Sequence, residues 1–132
     1  MQRDAKIEAL RSVPLFGGLS RKELAGLAKA GDEVDVPAGK VLTTEGASGV
    51  EFFVLLRGEA RVSQSGQDLG LLGPGDFFGE IALVDDVPRT ATVTAVTPLR
   101  IFVLTRQQFH GHVERNPKVG ETVRQAASER RG

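Results

Sequence analysis

The apolar positions change their spacing twice along the chain, and the changes mark out its elements. Ile7, Leu10, Val13 and Phe16 are spaced by threes, which predicts one apolar stripe on an opening helix ending around Pro14 to Gly17. Ser20 followed three residues later by Glu23 has the capping-box spacing, and Leu19 and Leu24 stand where a hydrophobic staple clamps the first turn. A second helix is predicted there, with Leu24, Leu27 and Ala28 facing inward. From Asp32 to about Thr105 the pattern gives way to short β-branched and aromatic runs: E-V-D-V-P, K-V-L-T-T-E-G, E-F-F-V-L-L-R-G, E-A-R-V-S-Q, D-L-G-L-L-G, A-T-V-T-A-V and R-I-F-V-L. Glycines punctuate them at 39, 46, 49, 58, 66, 70, 73 and 75, as turns between strands require. After Thr105 helical spacing returns with Phe109 and Val113. Asn116 and Pro117 then read as cap and first position of a last helix, whose apolar face is Val119, Val123 and Ala126 or Ala127.

The predicted fold is mainly β with flanking helices: an antiparallel β-roll or jelly-roll of about eight strands. N-terminal helices occupy 1–31, the roll 32–105 and two C-terminal helices 106–132, within one domain. A length of 132 residues accommodates one hydrophobic core. Lys plus Arg and Asp plus Glu each number 17, so there is no net positive field to hold a nucleic acid, and any anion must be caught locally. The absence of cysteine removes disulfides, thiolate metal sites and a thiol nucleophile, and suits the cytoplasm. No apolar run is long enough for a signal peptide core or a membrane span, so direct membrane insertion is not expected.

Candidate chemistry concentrates in G-P-G-D-F-F-G-E-I-A-L-V-D-D-V-P-R-T-A-T-V, residues 73–93. Gly79 lets backbone approach a ligand, and Glu80 to Leu83 can form one helical turn whose first N–H groups lack intrahelical acceptors and suit an anion. Arg89, set between Pro88 and the strand Thr90 to Val93, offers a planar fork for two phosphate oxygens, and a buried Arg needs such a counter-charge because it stays protonated. Glu80, acceptor-only when ionised, suits a sugar hydroxyl. The plain alternatives are a tight turn at Gly79, a surface ion pair between Glu80 and Arg89, and a solvated loop at Asp85 and Asp86 rather than a cation site.

The combination F-G-E-I-A-L followed by P-R-T-A-T-V resembles the phosphate-binding cassette of the cyclic-nucleotide-binding domain family. V-P-L-F-x-x-L-S-x-x-E-L-x-x-L-A at Val13 to Ala28 is similar to that family's helical lead-in, and F-F-V-L-L-R-G-E-A-R-V at Phe52 to Val62 to its central hairpin. The resemblance implies that Glu80 binds the ribose 2′-hydroxyl and Arg89 the exocyclic phosphate oxygens. It further implies that backbone groups of Gly79, Ile81, Ala82, Thr90 and Ala91 complete the cradle, and that Val62 and Leu72 pack on the base. The ligand is then cAMP or cGMP, with no separate cofactor and no metal. Thr90 can give the guanine 2-amino group a partner, so cGMP is accommodated, with cAMP the expected physiological ligand.

A regulatory sensor module is therefore expected, not an enzyme, working by repositioning its terminal helices. Its output would pass to a protein partner, a self-association surface or an effector domain beyond this sequence. Two other classes compete with this expectation. A cupin-type metalloenzyme requires several inward-facing imidazoles, whereas the only histidines are His110 and His112, two apart in a predicted helix and read as surface residues. A ligand-free interaction module on the same barrel is set against the presence of both Glu80 and Arg89. It draws on the last helix, which has no aromatic lid residue, carries Gly120 near its start and ends in Arg130 and Arg131, read as complements to the helix dipole.

Overall fold

The computed structural model describes residues 2–131, with side chains from Ala5 to Arg130. Helices α1 (Gln2–Arg11) and α2 (Arg21–Ala30) precede strands β1 (Asp32–Val36), β2 (Val41–Thr43), β3 (Glu51–Arg57), β4 (Ala60–Gln64), β5 (Gln67–Leu72) and β6 (Phe77–Phe78). Helix α3 (Glu80–Asp85) interrupts the strands. Strands β7 (Thr92–Ala95) and β8 (Leu99–Thr105) follow, then α4 (Arg106–Phe109) and α5 (Gly120–Arg131). The strands form two antiparallel sheets, ordered β1-β8-β3-β6 and β2-β7-β4-β5. This is the roll with flanking helices that the sequence predicts.

Strand alternation decides why β3 is apolar throughout. Phe52 and Val54 face the helices and pack with Leu10, Phe16, Leu24, Leu27, Phe109 and Val123, while Phe53 and Leu55 point into the roll against Val93, Ala95 and Ile101. Strand β3 is thus buried on both faces, which abolishes the polar alternation of a half-exposed strand. At α2 the capping box forms: Glu23 N donates to Ser20 Oγ (3.1 Å) and Ser20 N donates to Glu23 Oε1 (2.9 Å). Leu19 and Leu24 are both buried beside it.

Three sequence expectations need correction. The opening stripe is buried as predicted, but α1 stops at Arg11, and Pro14–Phe16 form a separate 3-10 turn. Proline holds its predecessor extended, and Val13 has φ −75° and ψ 123°, so the helix cannot run through. Strand β6 was not foreseen, because Phe77–Phe78 is only two residues long and its pairing with Phe53 and Val54 is non-local. The last helix begins at Gly120 rather than Pro117. Asn116 still caps the approach, its Oδ1 accepting from Lys118 N (2.9 Å) and its backbone oxygen from Gly120 N (2.8 Å). Gly120 is not a weak point in this helix: a Cβ there would lie 2.0 Å from the Glu114 carbonyl oxygen, so only glycine fits.

Between α4 and α5 the chain takes one π turn, His110–Glu114. His110 is half-buried with its Nδ1 against Glu114 Oε1, so it is not a free surface side chain, while His112 is exposed. Val123 and Ala127 of α5, with Val119 just before it, are almost completely buried, and α5 packs against α3, with Arg130 at its far end lining a cavity. No helix among the described residues is long and apolar enough to cross a membrane.

Candidate functional site

Gly79 links β6 to α3 in the left-handed region, at φ 93°. A Cβ there would lie 2.8 Å from the Glu51 carbonyl oxygen and 2.9 Å from Arg89 Nη1, so both backbone conformation and close approach demand glycine. The tight turn and the ligand approach are therefore one feature. Glu80 opens α3 and is 1% exposed, with Ile81, Ala82 and Leu83 buried behind it.

Arg89 is fixed at both ends. Its N–H donates to the Ala47 carbonyl (2.8 Å) and its carbonyl accepts from Gly46 N (2.8 Å), which pairs the segment before β7, a strand that starts at Thr92 and not at Thr90, with the β2–β3 loop. Its side chain is threaded between two glycines: a Cβ on Gly49 would lie 1.8 Å from Nε, and Gly79 bounds the other side. Nη1 donates to the Gly79 carbonyl (3.2 Å), Nη2 to the Glu51 carbonyl (2.9 Å), and the guanidinium lies over the Phe53 ring at 5.7 Å. The residue is 6% exposed, and no carboxylate forms an ion pair with it among the described residues. Burial works against its charge and lowers its pKa, while the more distant Glu51 and Glu80 carboxylates favour the charged form.

Glu80 and Arg89 are accordingly not a surface ion pair. The partner of Glu80 is Arg130, whose Nη1 stands 2.9 Å from both carboxylate oxygens, donates to the Phe77 carbonyl (2.8 Å) and lies over the Phe77 ring at 5.0 Å. Burial pushes the Glu80 carboxyl up from its ordinary value, and the Arg130 charge is the largest influence pulling it back. The reading of Arg130 as a mere dipole complement is thus overturned: the side chain leaves the helix end and reaches into the site.

These groups surround a cavity of about 290 Å³, at the small end of the ~300–1,000 Å³ usual for small-molecule pockets. All nine residues singled out in the sequence line it. Gly79, Glu80, Ile81 and Ala82 come from the β6–α3 junction, Arg89, Thr90 and Ala91 from the segment before β7, and Val62 and Leu72 from the β4–β5 hairpin. Among the lining residues that sequence reasoning missed are Thr43, Gln64, Leu69, Leu71 and Arg130. Thr43 is buried and its Oγ1 donates to the Ala91 carbonyl (3.0 Å), which steadies the segment before β7 from β2. The only signal for Gln64 was its separation of two from Val62 on a predicted strand; Arg130 lies 50 residues from Glu80 and carried none.

A polar end carrying a buried arginine and a carboxylate, joined to an apolar end of Val62, Leu69 and Leu72, fits a compact ligand with an anionic group, hydroxyls and a flat apolar part. The sequence profile of the family described as cyclic nucleotide-binding domain matches residues 33–116. A cyclic nucleotide-gated potassium channel of Rhizobium etli is 35% identical over 95% of this chain and 35% of its own. A cAMP-dependent protein kinase regulatory subunit of Eremothecium gossypii is 42% identical over 76% of this chain and 22% of its own. Among solved structures, the regulatory domain of Toxoplasma gondii PKA co-crystallised with cAMP superposes with a TM-score of 0.86 at 26% identity, covering 96% of this chain and 50% of that one. The chain spans about a third or less of the length of these curated relatives.

Proposed function

Because this chain belongs to the cyclic nucleotide-binding domain family, we propose that it is a sensor module that takes cAMP in preference to cGMP and reports occupancy through its C-terminal helix. The observation that carries the reading is Arg89: an arginine held almost wholly out of water, donating only to carbonyls, with its fork at the wall of a small cavity. A buried guanidinium without an ion-pair partner is matched by a bidentate anion such as a cyclic phosphate. Glu80, opposite the hairpin that carries Val62 and Leu72, then accepts from the ribose 2′-hydroxyl while the base lies on those apolar side chains. Backbone groups of Gly79, Ile81, Ala82, Thr90 and Ala91 line the phosphate end.

Arg130 supports the signalling half of the proposal. It anchors the end of α5 to the same carboxylate that receives the ribose, so ligand and helix share one group. Seating of α5 brings Arg130 to Glu80 and favours its ionised form, and ligand selects that state. The module acts in the cytoplasm without catalysis of its own, and its output passes to a protein partner, to self-association or to an effector domain joined to it.

Calorimetric titration of the purified chain with cAMP, cGMP and 5′-AMP tests the function. Saturable binding of cAMP, a cGMP affinity within about tenfold of it and much weaker 5′-AMP binding are expected. No binding of either cyclic nucleotide, or equal binding of 5′-AMP, defeats the proposal.

A further inference from the structure

Gln64 ends β4 two residues beyond Val62, so the two side chains share a face of the strand, and both line the cavity. The pairing of β4 with β7 runs unbroken from Ala60 to Ser63; the register shift in the hairpin falls on the β5 side, around Leu69. Alternation along β4 therefore holds. The Gln64 side chain is half-buried and makes no hydrogen bond among the described residues, leaving a primary amide at the apolar end of the pocket with donor and acceptor both unspent.

The place of that amide relative to Arg89 is fixed by one loop. Glu45 Oε1 accepts from Ser65 N (2.9 Å) and Oε2 from Ser65 Oγ (3.4 Å), which clamps the turn directly after Gln64. Glu45 N donates to Thr92 Oγ1 (2.9 Å). The next two residues of the same loop, Gly46 and Ala47, make the paired 2.8 Å backbone bonds to Arg89. Residues 45–47 thus hold the phosphate-facing arginine and the hairpin tip at a set separation, which is what a site needs to measure a ligand from its anion to the far edge of its base.

We propose that Gln64 is a specificity-determining residue that reads the edge of an adenine base. Its side-by-side N–H donor and carbonyl acceptor complement the adjacent N7 acceptor and 6-amino donor of adenine, whereas guanine presents two acceptors, N7 and O6, at the same edge. The inference rests on the function proposed above and assigns the preference for cAMP to a residue outside the cassette.

The test compares cAMP with purine riboside 3′,5′-cyclic monophosphate, which lacks only the 6-amino group, by equilibrium titration of the full chain and of Gln64→Leu. The parent is expected to bind cAMP about two- to twelvefold tighter than the analogue, the worth of one net hydrogen bond. Gln64→Leu is expected to bind both equally and the analogue no tighter than the parent does, since the bond to N7 is lost with either ligand. If Gln64→Leu does not fold by circular dichroism, Gln64→Met supplies the same comparison. A parent without preference, or a ratio unchanged in the variant, overturns the role of Gln64 and leaves the cyclic-nucleotide function standing. Failure of the parent to bind either ligand overturns that function and this inference with it.

Discussion

Arg130 Nη1 stands 2.9 Å from both oxygens of Glu80, across 50 residues of sequence. A carboxylate 1% exposed is costly to ionise alone, and burial is the chief influence on its titration. The arginine offsets that cost and in doing so ties the end of α5 to the first residue of α3. One contact thereby serves the charge state of the site and the position of the terminal helix.

Arg130→Ala is expected to weaken cAMP binding by about fivefold, or about 1 kcal/mol, a modest figure because the arginine is more than a third exposed and screened. The pH dependence is the sharper readout. Binding needs ionised Glu80, so affinity falls as pH drops through its pKa; without Arg130 that pKa climbs further, and the fall begins at higher pH in the variant. Amides in the last turns of α5 are also expected to exchange faster. An unchanged pH profile together with unchanged exchange would detach Arg130 from both roles.

Arg89→Ala is expected to leave a folded protein whose cyclic-nucleotide affinity is lower by about 2 to 5 kcal/mol, about 30-fold to several thousandfold. Gly49→Ala is the companion test, since its new Cβ would displace the Arg89 side chain without touching the ligand groups themselves. It too is expected to lower affinity by at least about tenfold, for want of a correctly placed fork. Titration of both folded variants checks this; retention of parent affinity within threefold in Arg89→Ala would remove the arginine from the site.

Glu80→Ala is expected to erase discrimination between cAMP and its 2′-deoxy analogue, which the parent distinguishes by about 1.5 to 3 kcal/mol, the range for a hydrogen bond to a charged group. The same titration carried out on both proteins decides the matter. Equal loss of affinity for the two nucleotides would mean that Glu80 supports the pocket through Arg130 and does not receive the ribose.

What could be read from sequence was what is local. The strand and turn order, the Ser20 to Glu23 capping box and the run from Gly79 to Arg89 each depend on neighbours within a dozen residues, and their spacing carries their geometry. Gly49, Thr43, Gln64 and Arg130 join the site only because the roll closes and α5 folds back across α3, and no periodicity encodes such encounters. Gly120 shows the limit most clearly. Its low helix propensity argued for a weak helix, whereas the fold uses it to admit the Glu114 carbonyl where no side chain could stand. The apolar face that looked thin in sequence is fully covered, because Val119, Val123 and Ala127 each meet the core.

Glu23 joins the start of α2 to the lead-in of α5. Lys118 Nζ stands 2.6 Å from its Oε1, Asn116 Nδ2 donates to its Oε2 (3.0 Å), and Ser20 N donates to Oε1 within the capping box. These donors, Lys118 foremost, lower the Glu23 pKa from 4.5 to about 2. A carboxyl whose folded pKa is depressed contributes stability that is fully present above the unfolded value and is lost as pH falls toward the folded one, here between about 4.5 and about 2. Glu80, with a raised pKa, has the opposite sign, since its protonation relieves the cost of burial, and it contributes equally to parent and variant. Urea unfolding midpoints of the parent and Glu23→Gln at pH 6 and pH 3 isolate the Glu23 part, and the parent is expected to lose more on acidification. Hydrogen exchange at pH 3 should locate the loss at the two joined segments, the first turn of α2 and residues 116–120, before the roll is affected. Parallel midpoints for the two proteins would show that the Glu23 cluster adds nothing to the fold beyond its capping box.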